Sequence, residues 1–290
     1  MSDAWQLLII DPQNDFCDLP GDWCPGDPLG GPRLAPALPV PGAHADMLRL
    51  AALLLDAGDG FDDISITLDS HQRLDIAHVT FWQRGDGGPV QPFTEITAQQ
   101  VRGGDYLPRV ASALPRTLAY LDELEARGRY RLMAWPVHCE IGAWGHNVHA
   151  AVRAACNVWE DETGRPVHKV AKGTSPWTEH YSALQAEVPD DEDPGTQLNR
   201  PLLSRLDDAE LLVVAGEASS HCVRASTEHL VEHLPGGRPE RLLLLTDCMS
   251  PVAGFQRQHE EFLAAMRARG VQLATCDELR PRLLERAGRG

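Results

Sequence analysis

Leu211-Leu212-Val213-Val214-Ala215-Gly216-Glu217-Ala218-Ser219-Ser220-His221-Cys222-Val223 is an apolar run that halts at a glycine, passes through small and polar residues, and reaches a cysteine where a helical pattern begins. Five apolar residues closed by a turn signal read as a strand, and a strand leading straight into a helix is a building unit of α/β sheets. Cys222 then sits at a helix N-terminus. Unpaired backbone N–H groups and the positive end of the helix dipole favour its thiolate, the reactive form. The same N–H groups could hold an oxyanion. Cysteine is also a common core residue, and this segment alone leaves both readings open.

Two other segments repeat the pattern. Leu7-Leu8-Ile9-Ile10 ends in Asp11-Pro12, and Val167 to Ala171 ends in Lys172-Gly173, where the chain must turn. In a doubly wound sheet the carboxyl ends of the strands form the ligand crevice. An acid, a lysine and a cysteine delivered to one sheet edge are the parts of an activated thiol nucleophile.

Along the rest of the chain strand and helix signals alternate, which predicts a parallel sheet with helices on both faces. Strands are expected near 6–11, 62–68, 130–135, 167–171, 210–215 and 241–246, with a terminal one near 271–274. Helices are expected near 43–58, 109–127, 144–157, 178–187, 219–234 and 254–269. Residues 1–290 read as one domain carrying loop insertions near 18–42, 83–108 and 188–201. Long loops in compact domains tend to be lids or interface elements.

Composition excludes several classes. With 290 residues and 43% apolar content the chain can bury a large core. A net charge of −16 argues against a nucleic-acid groove. No basic leader or membrane span is read at the N-terminus. Seven cysteines without disulfide-like spacing fit a reducing cytoplasm.

Asp69 and His71 also carry a metal argument. They stand two apart after Ile64-Ser65-Ile66-Thr67-Leu68, and in extended chain residues i and i+2 point the same way. His138, after the next strand-like run, adds a third ligand. An Asp/His/His set suits zinc, iron or manganese and leaves positions open for water or substrate.

Asp11 to Cys17 (DPQNDFC), Asp69-Ser70-His71, Trp135-Pro136-Val137-His138-Cys139, Lys172-Gly173 with Tyr181-Ser182-Ala183, and Gly216 to Val223 (GEASSHCV) together resemble the cysteine hydrolases of the isochorismatase-like superfamily, and nicotinamidases in particular. The resemblance implies a six-stranded parallel sheet and a triad of Asp11, Lys172 and Cys222. It also implies a cis peptide bond between Glu217 and Ala218 that aims the Ala218 and Cys222 N–H groups at an oxyanion. Asp69, His71 and His138 match the family's metal ligands, and His78 resembles a further histidine that serves as a fourth or water-mediated ligand. Phe16 and Trp135 match aromatics that pack the substrate ring, while in nicotinamidases the metal binds the pyridine nitrogen. No organic cofactor is implied, and family members often self-associate. Two positions depart from the pattern. Glu217 stands where many nicotinamidases are apolar, which would charge the substrate pocket if it points inward, and Ser220 stands where an acid is common.

The expected function is a metal-containing cysteine amidohydrolase that converts nicotinamide or a related small amide to the acid and ammonia through a thioester on Cys222. A cysteine hydrolase for another carbamoyl or amide compound is the alternative, and a non-catalytic binding protein on the same scaffold is a third reading.

Overall fold

The computed structural model describes residues 3–234 and 238–288. In chain order the elements are β1 (Trp5–Ile10), α1 (Ala43–Ala57), β2 (Asp63–Asp69), β3 (Trp82–Arg84), β4 (Thr94–Ile96), α2 (Ala98–Gly103), β5 (Tyr106–Pro108), α3 (Leu114–Arg127) and β6 (Leu132–Ala134). They continue with α4 (Ala150–Thr163), β7 (His168–Lys172), α5 (Arg200–Asp207), β8 (Leu211–Gly216), α6 (Cys222–His233), β9 (Leu242–Leu245), α7 (Gln256–Ala268), β10 (Gln272–Ala274) and α8 (Cys276–Ala287).

Six strands form one parallel sheet in the order β10-β9-β8-β1-β2-β7. Every residue of β8 and β9 is buried, as expected of parallel strands covered on both faces. Helix α1 packs on α4 and on α8, and α6 packs on β8 and α7. From β1 the chain winds outward through β2 and β7 in one direction, and later through β8, β9 and β10 in the other. The switch point therefore lies between β1 and β8, where open α/β sheets bind ligands.

Several expected elements are corrected. Residues 130–135 do not join the main sheet: Leu132–Ala134 pairs antiparallel with Thr94–Ile96, and Leu132 and Ala134 are buried in a second apolar cluster with Ile76, Trp82 and Leu121. The sixth strand is instead Gln272–Ala274. The helix expected at 144–157 begins only at Ala150, because the preceding residues are tied to the segment after β1. The Asn14 N–H donates to Asn147 O at 2.9 Å, and Gln13 bridges to Val148. Residues 178–187 form no helix. Thr178 to Leu184 are buried in succession rather than on one face, and their backbone bonds distant partners, as in Asn199 N–H to Leu184 O at 2.7 Å. Helices α2, α5 and α8 were not expected. Of the three insertions, 83–108 folds into β3, β4, α2 and β5, while 18–42 and 188–201 run mainly as loops.

The end of β8 is the tightest crossing in the site. Gly216 has φ of 116°, and a Cβ there would lie 2.0 Å from the Ile10 carbonyl oxygen. No side chain fits, and L residues avoid this conformation. Gly216→Ala is accordingly expected to cost about 3 kcal/mol or more in urea unfolding, with activity lost at the same time. Wild-type stability in that variant would contradict the close approach of β8 to β1.

Candidate active site

Four parallel strands deliver the groups that matter, each at its carboxyl end. Asp11 follows β1, Asp69 ends β2, Lys172 ends β7, and Cys222 opens α6 after β8. Asp11 adopts φ of 43°, a conformation uncommon for a residue with a side chain. Thr67 holds it there: the Asp11 N–H donates to Thr67 Oγ1 at 3.0 Å, and Thr67 Oγ1 donates to Asp11 Oδ1 at 2.6 Å. Gln13 clamps Asp69 in the same manner, donating from Nε2 to Asp69 O and accepting at Oε1 from the Asp69 N–H, both at 2.8 Å.

Lys172 is 3% exposed and lies between two carboxylates, with Nζ 3.0 Å from Asp11 Oδ2 and 2.8 Å from Asp69 Oδ1. It also donates to His180 O at 2.9 Å and lies 3.7 Å from Cys222 Sγ. Burial works against its charge, but Asp11 and Asp69 together hold its pKa well above the ordinary lysine value. Burial raises the pKa of Asp11, with Lys172 opposing, which makes it a better base than an exposed aspartate.

At Cys222 burial opposes the thiolate that a helix terminus favours. Burial pushes its pKa well above the usual range, outweighing Lys172, and Asp11 and Asp69 add to the rise. The thiol therefore rests protonated beside Asp11, and its activation falls to that carboxylate as a base during attack.

The other carboxylate oxygen of Asp69 faces a histidine cluster. Asp69 Oδ2 is 3.0 Å from His71 Nε2 and 3.3 Å from His138 Nε2. His71, His78 and His138 present ring nitrogens all within 4.8 Å of one another, and all three residues are buried. The second ring nitrogen of His71 is held by Asp75 Oδ2 at 3.0 Å, and that of His138 by Pro136 O at 2.9 Å, the outer-shell arrangement usual for metal-ligating imidazoles. His78 Nε2 accepts from the His138 N–H at 3.4 Å. One carboxylate oxygen and three buried imidazoles fit a borderline divalent ion.

A small cavity joins the two halves, lined by Phe16, Leu38, Asp69, Trp135, His138, Glu179, Tyr181, Ala218, His221, Cys222 and Val252. Phe16 lies 5.4 Å from the His138 ring, and Trp135 donates from Nε1 to Tyr181 OH at 3.2 Å. Glu217, expected at the pocket if turned inward, is not among the lining residues. Its carboxyl is fully buried and accepts from the Ser250 N–H at 3.0 Å. The Glu217-Ala218 peptide bond is cis, as the resemblance implies.

Several contributors were missed at the sequence level. Glu179 is a buried carboxyl in the cavity wall whose Oε2 has no partner and whose pKa burial raises. It lies in the stretch read as helix, so only long-range packing reveals it. His221 carried a local signal as the neighbour of Cys222; burial drops its pKa to about 3, so it lines the cavity as a neutral ring. Thr67, Gln13 and Asp75 hold other site residues in place and leave no pattern of their own.

No family model matches the sequence, and no curated protein matches it. Solved structures do match. The yeast nicotinamidase bound to the inhibitor nicotinaldehyde superposes with a TM-score of 0.61 at 18% identity, covering 93% of this chain and 99% of that one. An Acinetobacter baumanii nicotinamidase/pyrazinamidase gives 0.59 at 18%, covering 96% and 98%. The Pyrococcus horikoshii pyrazinamidase in complex with zinc gives 0.51 at 16%, covering 93% and 98%. The protein thus has the isochorismatase-like hydrolase fold. Among proteins of that fold it resembles nicotinamidases and pyrazinamidases.

Two measurements probe this geometry without a substrate. Because Cys222 rests as a thiol, its labelling by iodoacetamide should climb about tenfold per pH unit from about pH 6 to about pH 9 without a plateau. Levelling off below about pH 8 would instead reveal a resting thiolate. Zinc, iron or manganese added to chelator-stripped protein should be retained at about one ion per chain and lost in His71→Ala or Asp69→Asn, read by elemental analysis after gel filtration.

Proposed function

We propose that the protein is a cysteine amidohydrolase for nicotinamide or a similar small heteroaromatic amide. The observation that carries this reading is the buried Lys172 ammonium bridging Asp11 and Asp69 within reach of Cys222 Sγ, at the wall of a cavity that also reaches the histidine cluster.

Asp11 takes the proton of Cys222 as sulfur attacks the amide carbonyl. Lys172 keeps the two carboxylates from repelling each other and faces the charge that develops at sulfur. The Ala218 and Cys222 N–H groups are assigned to the carbonyl oxygen as it becomes an oxyanion, supported by the presence of both residues in the cavity wall. Collapse expels ammonia, with Asp11 returning the proton, and leaves a thioester. Water, deprotonated by Asp11, hydrolyses it to the carboxylic acid and restores the thiol. Overall an amide and water become an acid and ammonia.

Asp69, His71, His138 and His78 would hold a divalent ion, which when bound supplies a Lewis-acid point able to orient a ring nitrogen. Phe16 and Trp135 are assigned to pack the ring, supported by the presence of both in the cavity wall. The comparisons support the reading through proteins described as nicotinamidases and pyrazinamidases, one in complex with zinc. A cysteine hydrolase for another small amide or carbamoyl compound shares all of this chemistry apart from the ring contacts.

The test is ammonia release from nicotinamide by metal-replete protein, beside a panel of small amides. Cys222→Ala and Asp11→Asn should each lower kcat by about a thousandfold or more. Turnover that survives in Cys222→Ala would sink the thioester mechanism, and silence on nicotinamide with turnover of another amide would reassign the substrate.

A further inference from the structure

The fully buried Glu217 takes no part in the chemistry above, yet it occupies a junction of three segments directly behind the active-site loop. Its N–H donates to Ile10 O at 2.8 Å, and its Oε2 accepts from the Ser250 N–H at 3.0 Å. Ser250 in turn donates from Oγ to Asp46 Oδ2 at 2.5 Å and accepts at its carbonyl from the Ser219 N–H at 2.9 Å. The junction is closely packed, since a Cβ on Gly42 would lie 2.9 Å from Ser250 Oγ. Asp46 also bonds Arg49. The remaining oxygen of Glu217, Oε1, is buried with no hydrogen-bond partner, and the Asp46 carboxyl lies beside that of Glu217.

Two buried carboxyls side by side repel if both are ionised. The hydrogen-bond pattern says which of them carries a proton. Asp46 already accepts from Ser250 Oγ and Arg49, as a carboxylate does. Glu217 has one oxygen occupied as an acceptor and one orphan, and a proton on the orphan satisfies both groups at once. We propose that Glu217 is a positioning residue: as a neutral acid it donates to the Asp46 carboxylate and, through Ser250, fixes the loop from Gly216 to Ser220 that carries Ala218 and leads into Cys222. Burial, with Asp46 next to it, holds its pKa well above that of an ordinary glutamate, in keeping with this assignment.

The surrounding groups do not supply a rival partner for the orphan oxygen. From α1 come Asp46 and Arg49, the latter bonded to Asp46 and to Asp247 O. From the segment after β1 come Cys17, a buried thiol that burial keeps protonated, and Asp18, whose carboxylate takes the Gly42 and His44 N–H groups. After β9 come Asp247, which takes the Cys276 N–H, and Cys248, whose thiol contacts that of Cys276 and whose carbonyl accepts from the Gly216 N–H. From α7 comes His259, bonded to Ser219 Oγ at 2.8 Å.

A raised folded-state pKa gives stability that is complete below the unfolded glutamate pKa and fades as pH rises toward the folded one. Alkali should therefore loosen this loop in the wild type. Glu217→Gln keeps an acceptor for Ser250 and a donor for Asp46 and carries no titrating proton.

This inference rests on the reading of Cys222 as nucleophile and Ala218 as oxyanion donor, so its test includes readouts that need no substrate. Amide exchange of residues 216–220, iodoacetamide labelling of Cys222 and turnover of whichever amide proves active are compared in wild type, Glu217→Gln and Glu217→Ala from about pH 6 to about pH 10. Titration of Cys222 and Lys172 is common to all three proteins and cancels in the ratios. Expected at neutral pH are kcat and exchange within about twofold of wild type in Glu217→Gln, and a kcat loss of about tenfold or more in Glu217→Ala. Toward alkaline pH, wild type should lose loop protection and activity relative to Glu217→Gln. Superimposable wild-type and Glu217→Gln profiles, or a Glu217→Gln loss as deep as that of Glu217→Ala, would overturn the proposal. If Glu217→Ala does not fold, the Glu217→Gln comparison decides alone. A protein inert toward nicotinamide whose loop exchange still follows the expected pattern would refute the substrate while leaving Glu217 in its role.

Discussion

The ammonium of Lys172, sealed from water and bracketed by Asp11 and Asp69, is the interaction on which the rest of the site depends. Taking one cation and two anions out of water is costly, and their mutual attraction repays that cost only when geometry is good and the remaining polar valences are filled. Thr67 fills one of them by donating to Asp11 Oδ1, and Gln13 pins the backbone of Asp69, so the ion triplet is an extension of strands β1, β2 and β7. Removal of Lys172 would leave two unscreened negative charges, which explains why a lysine at a strand end, normally a solvated residue, is buried here.

Asp69 gives the site its unity. One of its oxygens belongs to Lys172 and the other to the histidine cluster, so the groups that act on sulfur and the groups that would hold an ion share a single carboxylate. Burial opposes its charge, and His71 and Lys172 together hold its pKa well below the ordinary range. Each half therefore sets the electrostatics of the other.

Much of this was legible in the chain because the key residues stand at the ends of apolar runs. Asp11, Asp69, Lys172 and Cys222 each close or follow a strand that hydrophobicity alone reveals, and the parallel sheet then brings them to one edge. What stayed hidden depends on distant partners. The strand at Leu132–Ala134 has an ordinary strand sequence, and only its pairing with Thr94–Ile96 removes it from the main sheet. Residues 178–187 contain helix formers, but burial of Thr178 to Leu184 in succession overrides local preference and sets Glu179 in the cavity wall. At Cys222 a helix terminus can be read in sequence, whereas the depth of its burial cannot. Glu217 looked like a charge for the pocket, and its partners Asp46 and Ser250 lie too far away in the chain to predict its turn away from the cavity.

Leu38 belongs to the stretch 18–42, and it lines the cavity beside residues delivered by the sheet. That stretch is tied to the segment after β1 by bonds that include Ala37 N–H to Asp15 Oδ1 at 3.0 Å and Leu38 N–H to Asp15 O at 3.0 Å. The reactive groups and this part of the wall thus have separate mechanical foundations, a rigid parallel sheet for one and a tethered loop for the other. Evolution can recut the loop to admit a different guest without disturbing a charge near the sulfur, so selectivity and reactivity in this molecule are free to drift at different speeds.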